Sequence, residues 1–356
     1  MRSGLLAVVI LSCCAAARAA EFRTVLPGVQ VNDLAFINGS YAVATSSGLF
    51  RLDRKLQVLR RRADTGSVSA LAADGDALYV GSECGVFREE GGRWTVLSIP
   101  DGAPAECDGS RNVRAMCLNT AKAGKGRGRK TLFVSLEDTT TENVESLGLF
   151  SWDVSRDKAE RVAALRDAPS VTAMLCGGDL VFLGTDGEAG ARDAGQVFAY
   201  DPRSGTASPA SAGLPRSGEE DSAEITALAR RGDLLLVGRY AGHGTGQCVL
   251  AAGRGAFGRD PRWSCLLSSE ADLLEGVSSV QTAGKGHLAA SGLMANVDSA
   301  RVFRVGPDLE VSEVSNLMVP GQLVGLKARD GKVFLLTTEG LVVAAEKDLS
   351  ARPPRP

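Results

Sequence analysis

Short apolar runs alternate with polar, glycine-bearing segments along almost the whole chain. The stretch 68–97, VSALAADGDALYVGSECGVFREEGGRWTVL, holds four such runs, cut by Asp74-Gly75-Asp76, by Gly81-Ser82-Glu83-Cys84-Gly85 and by Glu89-Glu90-Gly91-Gly92-Arg93. Runs this short, bounded by residues that tolerate positive φ, predict strands joined by tight turns. No segment keeps a 3.6-residue apolar period between helix caps, so few helices are expected.

The same pattern recurs. Copies start at Val31, Val68, Val113, Val171, Ile225, Val277 and Leu323, roughly 37 to 58 residues apart, a period that suits propeller blades. Each copy reads as strands a, b, c and d, and four-stranded sheets of this kind bury both faces only by packing against like sheets around an axis. The predicted fold class is all-β: a seven-bladed β-propeller of four-stranded antiparallel blades. Asn38-Gly39, Gly177-Gly178-Asp179, Arg231-Gly232-Asp233 and Asp330-Gly331 mark the a–b turns, and Gly81, Gly184 and Gly238 follow the apolar run of strand b. Glycine there lets neighbouring backbones approach closely near the axis.

The last copy lacks a fourth strand, whereas 22–26 is a lone strand ahead of the first. Closure is expected through this N-terminal strand, which would complete the last blade and remove an exposed edge. Residues 20–347 then form one propeller domain, and 348–356 a disordered Pro/Arg tail.

Leu78-Tyr79-Val80-Gly81 and Gly85-Val86-Phe87-Arg88 carry a resemblance to the two-component-regulator-type propeller repeat family. The chain departs from that pattern in lacking the tryptophan such repeats often carry on strand b. The resemblance implies a propeller fold and a sensory or interaction role, and it transfers no catalytic residue.

The first residues read as an export signal: Arg2, the apolar run 5–11 and the small-x-small site Ala17-Arg18-Ala19. A signal peptide is expected over 1–19, which places the protein in a secreted or extracytoplasmic compartment. A lipoprotein anchor through Cys13 is the rival reading, disfavoured because Leu11-Ser12 is not the usual lead-in to a lipidated cysteine. No stretch approaches the roughly 20 apolar residues of a membrane span. Removing 1–19 takes Lys+Arg from 40 to 38 against 42 acidic residues, a net charge of −4, so no overall basic field favours nucleic acid.

Six cysteines remain, an even number that suggests disulfides in an exported chain. Cys248 and Cys265 fall on neighbouring strands of one blade, and Cys84 and Cys107 on loops of one face; both pairs are expected to bond. Cys117 and Cys176 fall on the innermost strands of adjacent blades, one residue out of phase, an arrangement that suits free buried thiols. Their state stays open, since six cysteines allow fifteen connectivities.

Sorting loops by face puts the acidic residues on the b–c and d–a side, with the longest insertions. Glu137, Asp138, Asp186, Glu188, Asp193, Glu219, Glu220 and Asp221 are the candidate binding residues, because long loops on a rigid scaffold commonly carry function. The opposite face collects the basic run 122–130 with Arg230 and Arg231. No cofactor is expected; Asp186, Glu188 and Asp193 supply oxygen ligands of the kind calcium takes, without the spacing of an EF-hand loop. His243, beside Tyr240 on the loop-rich face, is the candidate general base, and His287, at a strand start, is read as structural. Gly253–Gly258 fits G-x-G-x-x-G but leads to Asp260-Pro261 and not a helix, and 124–131 resembles a P-loop with Arg129 where glycine is needed.

The expected function is a protein-binding or assembly scaffold acting through the acidic loop face, with no nucleic-acid partner and a monomeric state on its own. The alternatives are a lactonase- or lyase-type enzyme with a divalent cation at the central channel, and an extracytoplasmic sensory module.

Overall fold

The computed structural model describes residues 22–97, 111–121, 129–139, 145–165, 169–187, 195–215, 224–240, 246–255, 261–269, 276–292, 300–315, 317, 319–349 and 351–352. They form seven antiparallel sheets, each running outward from strand a to strand d. The innermost strands are Val31–Ile37, Val68–Asp74, Arg111–Ala121, Val171–Gly177, Glu224–Arg231, Ser279–Ala283 and Leu323–Arg329 in blades 1 to 7. Each inner strand neighbours the next, and that of blade 7 meets that of blade 1, closing the ring. The seven-bladed propeller predicted from the repeat is therefore the fold.

Turn chemistry sets the hairpins. Asn38 and Gly39 have φ of 49° and 72°, and Asp330 and Gly331 have 51° and 70°, the paired left-handed residues that match a two-residue turn to the twist of its strands. Closure also follows the expectation: Arg23–Val25 pairs antiparallel with Gly340–Ala345 as the outer strand of blade 7, with Arg23 opposite Val343 and Val25 opposite Leu341.

The core lies between blades, and its parity is strict. Ala42 and Ala44 on one face of blade 1 pack with Leu78 and Val80 of blade 2. Tyr41 and Val43, on the other face, pack back against Phe334 and Leu336 of blade 7. In the repeat Leu78 is the counterpart of Tyr41, so facing side chains are always one residue out of phase. This follows from geometry: like sheets stacked around an axis oppose the front of one to the back of the next, and successive strand residues alternate between those faces.

That parity corrects the reading of two cysteines. Cys117 and Cys176 are joined by a disulfide, with Cα atoms 5.7 Å apart, stapling the inner strands of blades 3 and 4. The one-residue offset taken to separate them is the condition for them to face one another. Cys248 and Cys265 are bonded across strands c and d of blade 5 as expected. Cys84 is also disulfide-bonded; Cys107 lies outside the described residues.

Part of the presumed tail is placed. Ala351–Arg352 pairs with Val311–Val314, Ala351 opposite Val314 and Arg352 opposite Glu313, making blade 6 a five-stranded sheet. Leu349 is buried in the cluster between blades 6 and 7. Because the N-terminal strand already fills the outer position of blade 7, the chain leaving strand c of that blade is free to cap its neighbour's open edge. No helix among the described residues is long and apolar enough to cross a membrane.

Candidate functional site at the channel mouth

Strand a begins with an apolar residue that plugs the blade interface, followed by one whose backbone drops out of the sheet ladder. Register shifts fall there between Val31 and Asp33, Val68 and Ala70, Val113 and Ala115, Val171 and Ala173, and Ile225 and Ala227. Such a bulge re-aims the extra side chain, here into the axial channel, a cavity of about 220 Å³. In most blades that side chain is a small hydrogen-bonding group which donates to the first carbonyl of the next blade. Asn32 Nδ2 reaches Val68 O at 2.7 Å, Ser69 Oγ reaches Val113 O at 2.6 Å, Thr172 Oγ1 reaches Ile225 O at 2.7 Å, and Thr226 Oγ1 reaches Val277 O. A polar belt thus ties blade to blade around the axis.

Blade 3 breaks the belt with Arg114. Its Nη2 donates to Glu224 Oε1 of blade 5 at 2.5 Å, spanning blade 4, while its Nε lies 3.8 Å from Glu137 Oε1. Glu137 is buried at 7% exposure and accepts a 2.8 Å hydrogen bond from Ser170 Oγ. Burial disfavours the charge on Arg114, but Glu224 and Glu137 outweigh it and hold the guanidinium above its usual range, with Asp186 adding to the effect. Burial pushes the Glu224 carboxyl up; Arg114 opposes this only in part, and Asp186 and Glu137 push the same way. Three carboxylates thus surround one arginine at the mouth.

The end of strand b tells the same story. Thr45, Ser82 and Thr337 occupy one repeat position, and their hydroxyls cap the b–c turn by donating to Gly48 O at 2.7 Å, Gly85 O at 3.2 Å and Gly340 O at 2.9 Å. In blade 5 this position is Arg239, 1% exposed, whose Nη1 donates to Pro215 O and whose pKa burial lowers to about 10. In blade 3, strands b and c run past it, setting Glu137 opposite Ser146 and Asp138 opposite Glu145. The departures from the module gather in blades 3 to 5, on one face.

Of the candidate binding residues, Glu137 and Asp186 converge at this mouth, and Asp138 follows Glu137 at the end of the same strand. Glu188, Asp193, Glu219, Glu220, Asp221 and His243 lie outside the described residues, as does 122–128 of the basic run. His287 is 2% exposed on strand b of blade 6, with Nδ1 3.4 Å from Thr282 Oγ1; burial, then the charge of Arg231, lowers its pKa. Among the described residues no group of three or more His, Cys, Asp or Glu side chains is arranged to hold a metal. Sequence reasoning missed Arg114, Glu224 and Arg239. The first and last were detectable as charged exceptions in repeat columns otherwise filled mainly by Ser and Thr.

No protein-family model and no curated protein matches the chain. Among solved structures it is similar to the GH74 xyloglucanase from Xanthomonas campestris, at TM-score 0.64 and 15% identity over 94% of this chain and 55% of that one. Virginiamycin B lyase from Staphylococcus aureus gives TM-score 0.58 and 8% identity over 91% of this chain and 97% of that one. PorZ, a surface component of the type-IX secretion system of Porphyromonas gingivalis, gives 0.54 and 14% over 94% and 39%. The chain spans well under two thirds of the xyloglucanase and of PorZ. At these identities the likeness is one of fold.

Proposed function

We propose that the chain is an exported binding propeller that engages a protein partner through its b–c and d–a loop face, with the mouth formed by Arg114, Glu137, Asp186 and Glu224 as the centre of that surface. The observation that carries this reading is the convergence of charged departures from the repeat in blades 3 to 5. A scaffold needs none of them, since five blades close the belt or the turn with neutral groups. The disulfides and the signal-like N-terminus support an oxidising, extracytoplasmic setting. Affinity capture from an extracytoplasmic fraction tests the reading. Partner recovery should be lost when Glu219, Glu220 and Asp221 are reversed to Lys, and again in Asp186→Lys; recovery surviving both sets of reversals refutes the face assignment.

A second reading rests on Glu224. A carboxyl held protonated into a higher pH range at a channel mouth suits proton transfer, as a lyase or lactonase would require. A divalent cation retained after exhaustive dialysis, together with an activity lost in His243→Ala, would decide for it.

A further inference from the structure

The outer rim carries a second surface that this reading does not use. Strand d of blade 1, Val58–Arg62, is the terminal strand of its sheet, so one row of its backbone groups has no strand beyond it. Val58 and Leu59 on it are 52% and 63% exposed and, with Val96 on the outer strand of blade 2 at 49%, they are the large apolar side chains most open to solvent among the described residues. Arg60, Arg61 and Arg62 follow directly. Residues 51–64 hold six basic and two acidic side chains, a net charge of 6 − 2 = +4 in a chain whose net charge is −2. Arg51 is satisfied by Glu89 and Arg62 by Asp64, but Arg60 and Arg61 pair with no carboxylate among the described residues.

This edge carries a β-bulge at Leu59, between Val58 opposite Leu52 and Arg60 opposite Arg51, and other rims are closed differently. The outer strand of blade 4, Thr206–Pro209, ends in a proline, and that of blade 3, Lys158–Arg161, mixes signs and pairs Lys158 with Glu160. Blade 6 shows what an open edge of this propeller accepts: a short extended segment, Ala351–Arg352, lies on it antiparallel. We propose that the outer edge of blade 1 is a docking strand for an extended peptide segment of a partner that alternates apolar and acidic residues. The segment adds as a fifth strand, its backbone pairing with the open row; because its side chains alternate in face, its carboxylates lie on the face of Arg60 and its apolar side chains on the opposite face with Val58, as the register of Val58–Arg62 sets those two residues apart. A second copy of this chain is the wrong occupant, because edge-to-edge pairing sets one arginine run against another. An anionic membrane offers the charge but no partner for the open backbone row.

The test uses the mature chain and a fluorescein-labelled octapeptide of alternating Val and Glu, with an alternating Val and Lys peptide as control. Anisotropy should show saturable binding of the acidic peptide only, weakened by added salt. Backbone hydrogen exchange should slow within 58–62 and at no other rim. The variant Arg60→Glu/Arg61→Glu should weaken binding at least tenfold, whereas Arg60→Lys/Arg61→Lys should stay within about threefold. Equal binding of the lysine peptide, no saturation, or protection at another edge overturns the proposal. So does a dimer in sedimentation that Arg60→Glu/Arg61→Glu abolishes. Binding to phosphatidylglycerol vesicles, lost in the same variant and unaccompanied by peptide binding, would assign the strip to a membrane instead and equally overturn it.

Discussion

Gly184→Ala probes how the blades pack. Gly184 ends the apolar run of strand b in blade 4, and a methyl at its Cβ position would lie 2.3 Å from Ile225 Cγ2 and 2.7 Å from Ile225 Cβ. Carbon atoms pack at about 3.5–4.0 Å, so the overlap exceeds about 1 Å. Ile225, the second residue of strand a of blade 5, is fully buried and holds a stiff branched rotamer. Neither side can yield without moving a blade. Overpacking of this kind costs about 1–3 kcal/mol, and the upper half of that range is expected here, with a fall in Tm of roughly 2–4 °C per kcal/mol or somewhat less at this length. Gly177→Ala is the matched control. It lies on strand a of the same blade with nothing within 4 Å of the added methyl and no left-handed φ, so it should be neutral or stabilise by up to about 1 kcal/mol through the unfolded chain. Urea denaturation of Gly184→Ala, Ile225→Ala and the double variant completes the cycle. Ile225→Ala opens a cavity costing about 2–5 kcal/mol, and Gly184→Ala in that background should cost at least about 1 kcal/mol less than in the native chain. A Gly184→Ala as benign as Gly177→Ala, or a cost undiminished by Ile225→Ala, would refute the plug-and-hollow account of the interface.

Three further outcomes follow from the same structure. Replacing Cys117 and Cys176 by Ser should cost about 4 kcal/mol, and replacing Cys248 and Cys265 about 3 kcal/mol, since the first bond closes a loop of 59 residues and the second one of 17; urea midpoints of the two double variants give the order. His287 is held neutral by burial, with its pKa below the ordinary value of about 6.5. On acidification the unfolded state therefore binds a proton first, and stability should fall as pH drops below about 6.5, a slope that His287→Gln should reduce between pH 7.5 and 5. Arg114→Met leaves Glu137 and Glu224 facing one another without a cation; it should destabilise by about 1–2 kcal/mol at pH 7, allowing for the 41% exposure of the arginine side chain, and by less on acidification, as Glu224, whose carboxyl burial pushes up, takes up a proton.

The period and the turns were written in the chain. Valine or isoleucine at the head of strand a, a two-residue turn such as Asn38-Gly39 and a small residue such as Gly81 recur because every blade solves the same packing problem, and these local signals locate the strands before any contact is known. The site was legible only in part. Glu137 and Asp186 stood out as acidic residues in insertions, but Arg114 sits in an inner strand with no local oddity beyond its column, and its partner Glu224 lies 110 residues away.

By itself, then, the sequence determined the module, its number of copies and the means of ring closure, because hydrophobic alternation and turn chemistry act over a few residues. Tertiary structure alone decided what depends on which face meets which. Cys117 bonds Cys176 because opposed faces of like sheets differ by one residue in phase. Arg114 passes over blade 4 because the inner strands converge on the axis. Ala351–Arg352 has an edge to join because the N-terminus, and not the C-terminus, completes blade 7.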